Sequence, residues 1–200
     1  MALVIGLTGS IGTGKTLIAT KFQEIGIPVV DADKIARLVV EKGAPAYEKI
    51  VATFGTEVLH DDGTLNRQAL GSIVFKDEAK RKQLNNMTHP EIRKEMIRQR
   101  DEWIERGHNC VVLDIPLLYE SKLTHFVDKV IVVYVDEAVQ LDRILSRDNI
   151  TEEEARARIR SQIPVAKKRD MADAVIDNNG SKEDSYKQLF DILAEWNVKT

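Results

Sequence analysis

Apolar residues fall along this 200-residue chain in two rhythms. Five short runs are apolar almost throughout: Ala2 to Thr8, Ile27 to Asp31, Cys110 to Ile115, Lys129 to Val135 and Ala174 to Asp177. Runs of this length, rich in Val and Ile, read as strands, and unbroken apolarity reads as strands covered on both faces. Between them the apolar positions recur at helical spacing. Leu17, Ile18, Phe22 and Ile25 mark a first helix that Gly26 stops. Helix signals resume at Asp33 and run to about Lys42, Gly43-Ala-Pro45 breaks the chain, and residues 46 to 54 carry Tyr47, Ile50, Val51 and Phe54 on a short helix. His60-Asp-Asp-Gly63 is a turn. Residues 66 to 106 are helical by pattern. A break or restart is expected at His89-Pro90, because the residue before a proline avoids the α region; Thr88 or His89 would cap the new helix. Three more helices are expected: Ala138 to Arg147, then Thr151 with Glu154 as a capping box to about Ile163 with Pro164 ending it, and a last helix capped by Ser181.

Strands alternating with helices predict a parallel sheet with right-handed crossovers: an α/β chain of three layers around five strands. Residues 45–106 interrupt that alternation with helices and no clear strand. The expected organisation is a core of residues 1–44 and 107–200 with a helical insertion at 45–106. Ligands of such sheets sit at the carboxyl ends of the strands, so the insertion is well placed to hold a second substrate.

Composition narrows the class. The chain is 43% hydrophobic and 30% charged, ordinary for a globular protein and long enough to bury a core without disulfides. A net charge of -3 argues against general nucleic-acid coating. No apolar run approaches the roughly 20 residues of a membrane span. The N-terminus opens directly into a strand, with neither a basic leader nor a cleavage site, so a cytoplasmic location is expected. No obligate protein partner is evident. The one cysteine, Cys110, lies in an apolar run and reads as core rather than nucleophile. His60, His89, His108 and His125 never pair at metal-ligand spacing, so no zinc site is expected. His89, in the insertion, is the one histidine marked as a candidate substrate contact.

The chemistry gathers at Gly9 to Thr16, Gly-Ser-Ile-Gly-Thr-Gly-Lys-Thr, which fits the phosphate-loop pattern G-x-x-x-x-G-K-[ST] between a strand and a helix. Glycines let successive backbone N–H groups curl around phosphate oxygens, and the following helix points its positive end at the same place. Ser10, Ile11, Gly12, Thr13, Gly14, Lys15, Thr16 and Leu17 are the candidate nucleotide contacts. Lys15 would reach the outer phosphates, and the Thr16 hydroxyl could ligate Mg²⁺. Asp31-Ala-Asp33 ends the second strand; either carboxylate could orient a hydroxyl, or Asp33 could cap the next helix and Asp31 a strand-end turn. Asp114 ends the third strand, where an acid either assists Mg²⁺, directly or through water, or is a loop carboxylate. Residues 143 to 169 hold Arg143, Arg147, Arg156, Arg158, Arg160, Lys167, Lys168 and Arg169. Arg143 and Arg147 share a helix face. The stretch reads as a mobile lid over the transferring group, the alternative being a solvated face interleaved with acids.

Several segments together resemble the dephospho-coenzyme A kinase family: Leu7-Thr-Gly-Ser-Ile-Gly-Thr-Gly-Lys-Thr16, Val30-Asp-Ala-Asp-Lys-Ile-Ala-Arg37, Thr88-His-Pro-Glu-Ile92, Pro116-Leu-Leu-Tyr-Glu120, Gln140-Leu-Asp-Arg143 with Arg147-Asp148, and Ala172 to Gly180. They stand in family order across nearly the whole chain. The family more often has Gly at the place of Ser10 and Ser at that of Thr16. The resemblance implies a P-loop NTPase fold with a helical substrate-binding insertion and a helical lid. It implies transfer of the γ-phosphate of ATP to the ribose 3′-hydroxyl of dephospho-coenzyme A, with Mg²⁺ as cofactor. It also implies Asp33 as the proposed base, Arg143 and Arg147 as lid residues, and Asp33, Arg37, His89, Pro116, Leu117 and Leu118 beside the acceptor. Other readings are another small-molecule kinase, a regulatory GTPase and a phosphate-loop scaffold without turnover. A GTPase needs an Asn-Lys-x-Asp motif, and the nearest text, Asp177 to Ser181, lacks it.

Overall fold

The computed structural model describes residues 2–199, and the chain divides into two compact units. The first comprises Met1–Val30 with Glu102–Thr200, the second Asp31–Asp101. Where sequence led to an insertion at 45–106, the second unit thus opens at Asp31.

The first unit is built on a five-stranded sheet of β1 (Leu3–Gly9), β2 (Val29–Asp31), β3 (Cys110–Asp114), β4 (Lys129–Tyr134) and β5 (Ala174–Asp177), in the order β2-β3-β1-β4-β5. β1 runs parallel to β3, from Leu3 beside Cys110 to Leu7 beside Asp114, and parallel to β4, from Ile5 beside Lys129 to Gly9 beside Val133. This register puts Ile5, Leu7, Cys110, Val112, Ile131 and Val133 on one face, buried with Ile18 and Phe22 of α1 (Lys15–Glu24) and Leu189 and Leu193 of α9 (Lys182–Glu195). A slip of one residue would turn that whole set to the opposite face. Burying Phe22 or Leu189 alone is worth about 1.5–3 kcal/mol, so the register is strongly specified. Cys110 belongs to this core; burial pushes its thiol up to about 12. The same register brings the ends of β1 and β3 out on one edge, so the loop after Gly9 emerges beside Asp114.

Three helices separate β4 and β5: α6 (Glu137–Asp148), α7 (Glu152–Arg160) and α8 (Val165–Asp170). The Thr151–Glu154 capping box opens α7 and a second box, Ser181 with Asp184, opens α9. α7 ends three residues before the expected Ile163, and α8 follows Pro164, where no element was expected.

The second unit holds α2 (Ala32–Leu38), α3 (Pro45–Phe54), α4 (Arg67–Lys76) and most of α5 (Glu78–Glu105). The cap of α2 is Asp31, whose Oδ1 accepts the Lys34 N–H at 2.9 Å; Asp33, read as either a cap or a hydroxyl-orienting carboxylate, lies inside the helix and is not its cap. α2 ends at Leu38, short of Lys42. Asn66 caps α4 by accepting the Ala69 N–H at 2.9 Å. The helix expected to break at His89-Pro90 does not: α5 runs through Pro90, and the break lies at Asp77. Proline there removes one i→i−4 bond, to the Asn86 carbonyl. The helix carries that loss, and no new cap forms at Thr88, whose hydroxyl instead donates back to the Leu84 carbonyl at 3.0 Å. Among the described residues no helix is long and apolar enough to cross a membrane.

Candidate active site

The loop between β1 and α1 is shaped by two left-handed glycines, Gly12 at φ 79° and Gly14 at φ 88°. Gly14 is the N-cap of α1, and its carbonyl accepts the Leu17 N–H at 2.9 Å. Thr13 turns back on Ser10, its N–H and hydroxyl both donating to the Ser10 carbonyl, at 3.2 and 2.9 Å. The positive end of α1 therefore faces the concave side of a tight backbone turn, an arrangement that attracts phosphate.

Lys15 pairs with the Asp114 carboxylate across the β1–β3 edge; their side chains are 15% and 8% exposed. Thr16 is exposed, and no hydrogen bond of its hydroxyl occurs among the described residues. Hydroxyl and carboxylate oxygens are the donors a hard divalent cation takes.

Arg143, on α6, reaches the loop from the side. Its guanidinium donates to the Thr13 carbonyl at 3.4 Å and to the Asn178 carbonyl at 2.8 Å. Asn178, just past β5, is buried; its amide donates to the same Thr13 carbonyl at 2.8 Å and its Oδ1 accepts the Ser185 hydroxyl at 2.8 Å. Arg147 is exposed and folds onto Asp148, with contacts of 2.5 and 2.9 Å, and Arg158 reaches the same carboxylate at 2.9 Å. These guanidinium contacts hold the Asp148 carboxyl below its ordinary range.

Two residues pin the middle of the loop. The Ile11 N–H donates to the Gln162 side chain at 2.9 Å, and the Ile11 carbonyl accepts from Gln140 Nε2 at 2.6 Å. Sequence reasoning named neither glutamine nor Asn178 as a site residue, although Gln140 and Asn178 fall in segments that carried the resemblance. Lys168 was counted with the lid cations, but it is fully buried and bonded to the Gly9 and Pro116 carbonyls. Its ammonium is spent on backbone oxygens of the sheet edge, so it cannot serve as a solvated lid charge.

Of the residues expected beside an acceptor, Pro116 lies two positions past Asp114 and Leu117 is 42% exposed. Leu118 is fully buried and covers Gly6 with Val127, so its side chain belongs to the core rather than to a ligand surface. Within the second unit, Asp33 and Arg37 are exposed on α2. The Asp33 side chain has no hydrogen bond or ion pair among the described residues, while that of Asp31 is occupied by its cap. His89 is half-buried on α5; desolvation, then the charge of Arg93, lowers its pKa from the ordinary imidazole value. The same unit holds a cavity of about 230 Å³ lined by Ala36, Val40, Ile50, Leu84, Asn85 and Ile92, among others.

Comparison with known proteins places this geometry. The profile of the dephospho-CoA kinase family matches residues 3–184. A dephospho-CoA kinase of Shouchella clausii is 58% identical over 191 residues, covering 96% of this chain and 97% of its own. Among solved structures, that of TT1252 from Thermus thermophilus superposes with a TM-score of 0.83 at 33% identity, with 97% of both chains covered. A dephospho-CoA kinase from Campylobacter jejuni gives 0.75 at 32% identity, with 98% of both covered.

Proposed function

The chain belongs to the dephospho-CoA kinase family, and on that premise we propose how its residues move the γ-phosphate of ATP to the ribose 3′-hydroxyl of dephospho-coenzyme A. The reading rests above all on one observation: a left-handed glycine loop opens α1 and holds Lys15 against Asp114 at the sheet edge. Backbone N–H groups of Gly12 to Thr16 bind the β- and γ-phosphates. Lys15 turns from Asp114 toward the outer phosphates as they arrive. Thr16 and Asp114 would hold Mg²⁺, which when bound neutralises charge on the β- and γ-phosphates.

Phosphoryl transfer passes through a loose transition state in most analyses, so the attacking oxygen need not lose its proton early. Asp33 accepts a hydrogen bond from the 3′-hydroxyl, aims it, and takes its proton late. The lack of any partner for its side chain among the described residues supports that role. Arg143 stays at the loop, and residues 162–168 stay docked beside it; of the stretch 143–169, the part carrying Arg147, Arg156 and Arg158 closes as a lid, Arg147 leaving Asp148 to cover the transferring group. The unit Asp31–Asp101 is the acceptor-binding body, with Arg37 and His89 as its contacts; Pro116 and Leu117 are the candidate contacts on the first unit. A cytoplasmic site of action fits two soluble nucleotide substrates.

The test is a coupled ADP assay with purified protein and Mg-ATP. ADP production dependent on dephospho-coenzyme A, and absent with nucleosides or nucleotides as acceptors, is the expected result. Preference for a nucleoside, or GTP consumption without an acceptor, would overturn the proposal.

A further inference from the structure

The link between α7 and α8 is stitched to the phosphate loop by contacts that the reaction scheme leaves unused. At their centre is the fully buried Lys168 of α8. Its ammonium donates to the Gly9 carbonyl at 3.3 Å and the Pro116 carbonyl at 3.1 Å, and pairs with Glu120 Oε1 at 2.8 Å. Glu120 Oε1 also accepts the Ile163 N–H at 3.0 Å. The Ile163 carbonyl accepts the Ser10 hydroxyl at 3.3 Å, and Gln162 beside it accepts the Ile11 N–H at 2.9 Å. The Thr8 hydroxyl closes the set on the Pro116 carbonyl at 3.0 Å. One cation thus ties together the end of β1, the segment after Asp114 and the α7–α8 link.

Stability alone does not account for such a group. Taking the Lys168 charge out of water costs several kcal/mol, Glu120 keeps 20% of its side chain exposed, and apolar replacements of buried pairs are often neutral or stabilising. What an apolar pair cannot do is hold two carbonyls and a peptide N–H at fixed distances. Gly9 directly precedes the loop, and Pro116 follows by two residues the carboxylate that binds Lys15. Movement at either carbonyl is movement of the phosphate cradle against the partner of Lys15.

We infer that Lys168, with Glu120 as its counter-ion, is a positioning residue for phosphoryl transfer: the pair fixes the start of the phosphate loop against the end of β3 and docks residues 162–163 onto Ser10 and Ile11. The inference rests on the kinase reading above for its kinetic test, and on the free protein for its structural one.

The test is the double variant K168M/E120Q. Met keeps an unbranched side chain of similar length, Gln keeps an acceptor for the Ile163 N–H, and no lone charge stays buried. Expected is an unfolding midpoint close to the parent's, a kcat lowered at least about tenfold and a smaller change in KM for ATP, because misplacement of reacting groups acts on the transition state. Amide exchange of residues 9–13 and 162–163 in the ligand-free protein should speed up while the amides of β4 stay protected. A folded double variant with the parent's kcat and the parent's exchange at residues 9–13 overturns the inference. So does a lowered midpoint with unchanged kcat in the folded fraction. If the double variant does not fold, K168M alone replaces it, leaving a Glu120 whose side chain is 20% exposed: kcat and exchange should both move in the same directions, and parent values for both overturn the idea. A parent protein inactive on dephospho-coenzyme A would sink the kinase reading instead, leaving the exchange comparison to decide this one.

Discussion

Gly14 offers the sharpest check on the loop geometry, because a second glycine in the same backbone region serves as its control. Gly14 has φ 88° and Gly26 has φ 81°. Alanine at either position carries left-handed strain of about 1–2 kcal/mol, which cancels in a comparison of the two variants. The surroundings differ. A Cβ on Gly26 meets nothing within 4 Å, whereas a Cβ on Gly14 would lie 2.1 Å from Asn178 Nδ2. Asn178 cannot step aside freely, since its side chain holds the Thr13 carbonyl and the Ser185 hydroxyl and its own carbonyl holds Arg143. Displacing it breaks two buried hydrogen bonds, at about 1–2 kcal/mol each once the stranded groups are counted, or about 2–4 kcal/mol together. A chain of this length melts about 2–4 °C lower per kcal/mol lost, so Gly14→Ala should melt roughly 4–16 °C below Gly26→Ala. Thermal unfolding of the two variants side by side, followed by far-UV circular dichroism, measures the difference. Titration with Mg-ATP should show affinity weakened at least about tenfold for Gly14→Ala, the loss of one or two well-formed charge-assisted contacts. Equal melting temperatures with parent-like ATP affinity would refute the picture of a cradle locked by Asn178.

Three further outcomes can be measured directly. Lys15→Ala should abolish transfer in the coupled assay while the circular dichroism spectrum stays that of the parent; retained turnover would remove the phosphate loop from the chemistry. Asp33→Ala should lower turnover by roughly 10²-fold or more with ATP affinity little changed, and because Asp33 is exposed its loss should leave the melting temperature near the parent's. The depressed pKa of His89 means that the unfolded chain takes up this proton before the folded one does. Stability from this group is therefore full above the ordinary value near 6.5 and is lost as pH falls below it, so urea midpoints should drop less between pH 7 and 5.5 for His89→Gln than for the parent.

β1, β3 and β4 were legible because they are covered on both faces, which writes unbroken apolar runs into the sequence; the edge strand β5 is only partly buried, yet falls at Ala174–Asp177 as expected. The two capping boxes were legible because their signal spans four residues. Pro90 misled because the rule at proline is local, whereas α5 is carried through it by the helix on either side. α8 has six residues, too few for a period to show. Asp33 reads as a cap and Asp31 as a strand-end turn, and only the backbone trace shows that the cap is Asp31. Lys168 was the hardest to see. It stands in Lys167-Lys168-Arg169, which reads as solvated charge, and nothing nearby in sequence says that the middle residue faces Gly9, more than 150 positions away. Gln140 and Gln162 are invisible for the same reason, since the backbone they hold at Ile11 belongs to the other end of the chain.

The place of β1 at the centre of the sheet has a consequence during synthesis. Leu3–Gly9 is made well before its neighbours on either side, residues 110–114 and 129–133. At about 5–20 residues per second, the strand waits roughly 5–20 s for its first partner. In that interval Asp31–Asp101 is completed and can collapse upon itself, while the apolar strand β1 stays unpaired. The stretch that most needs shielding in that interval is therefore the one that later carries the glycine loop.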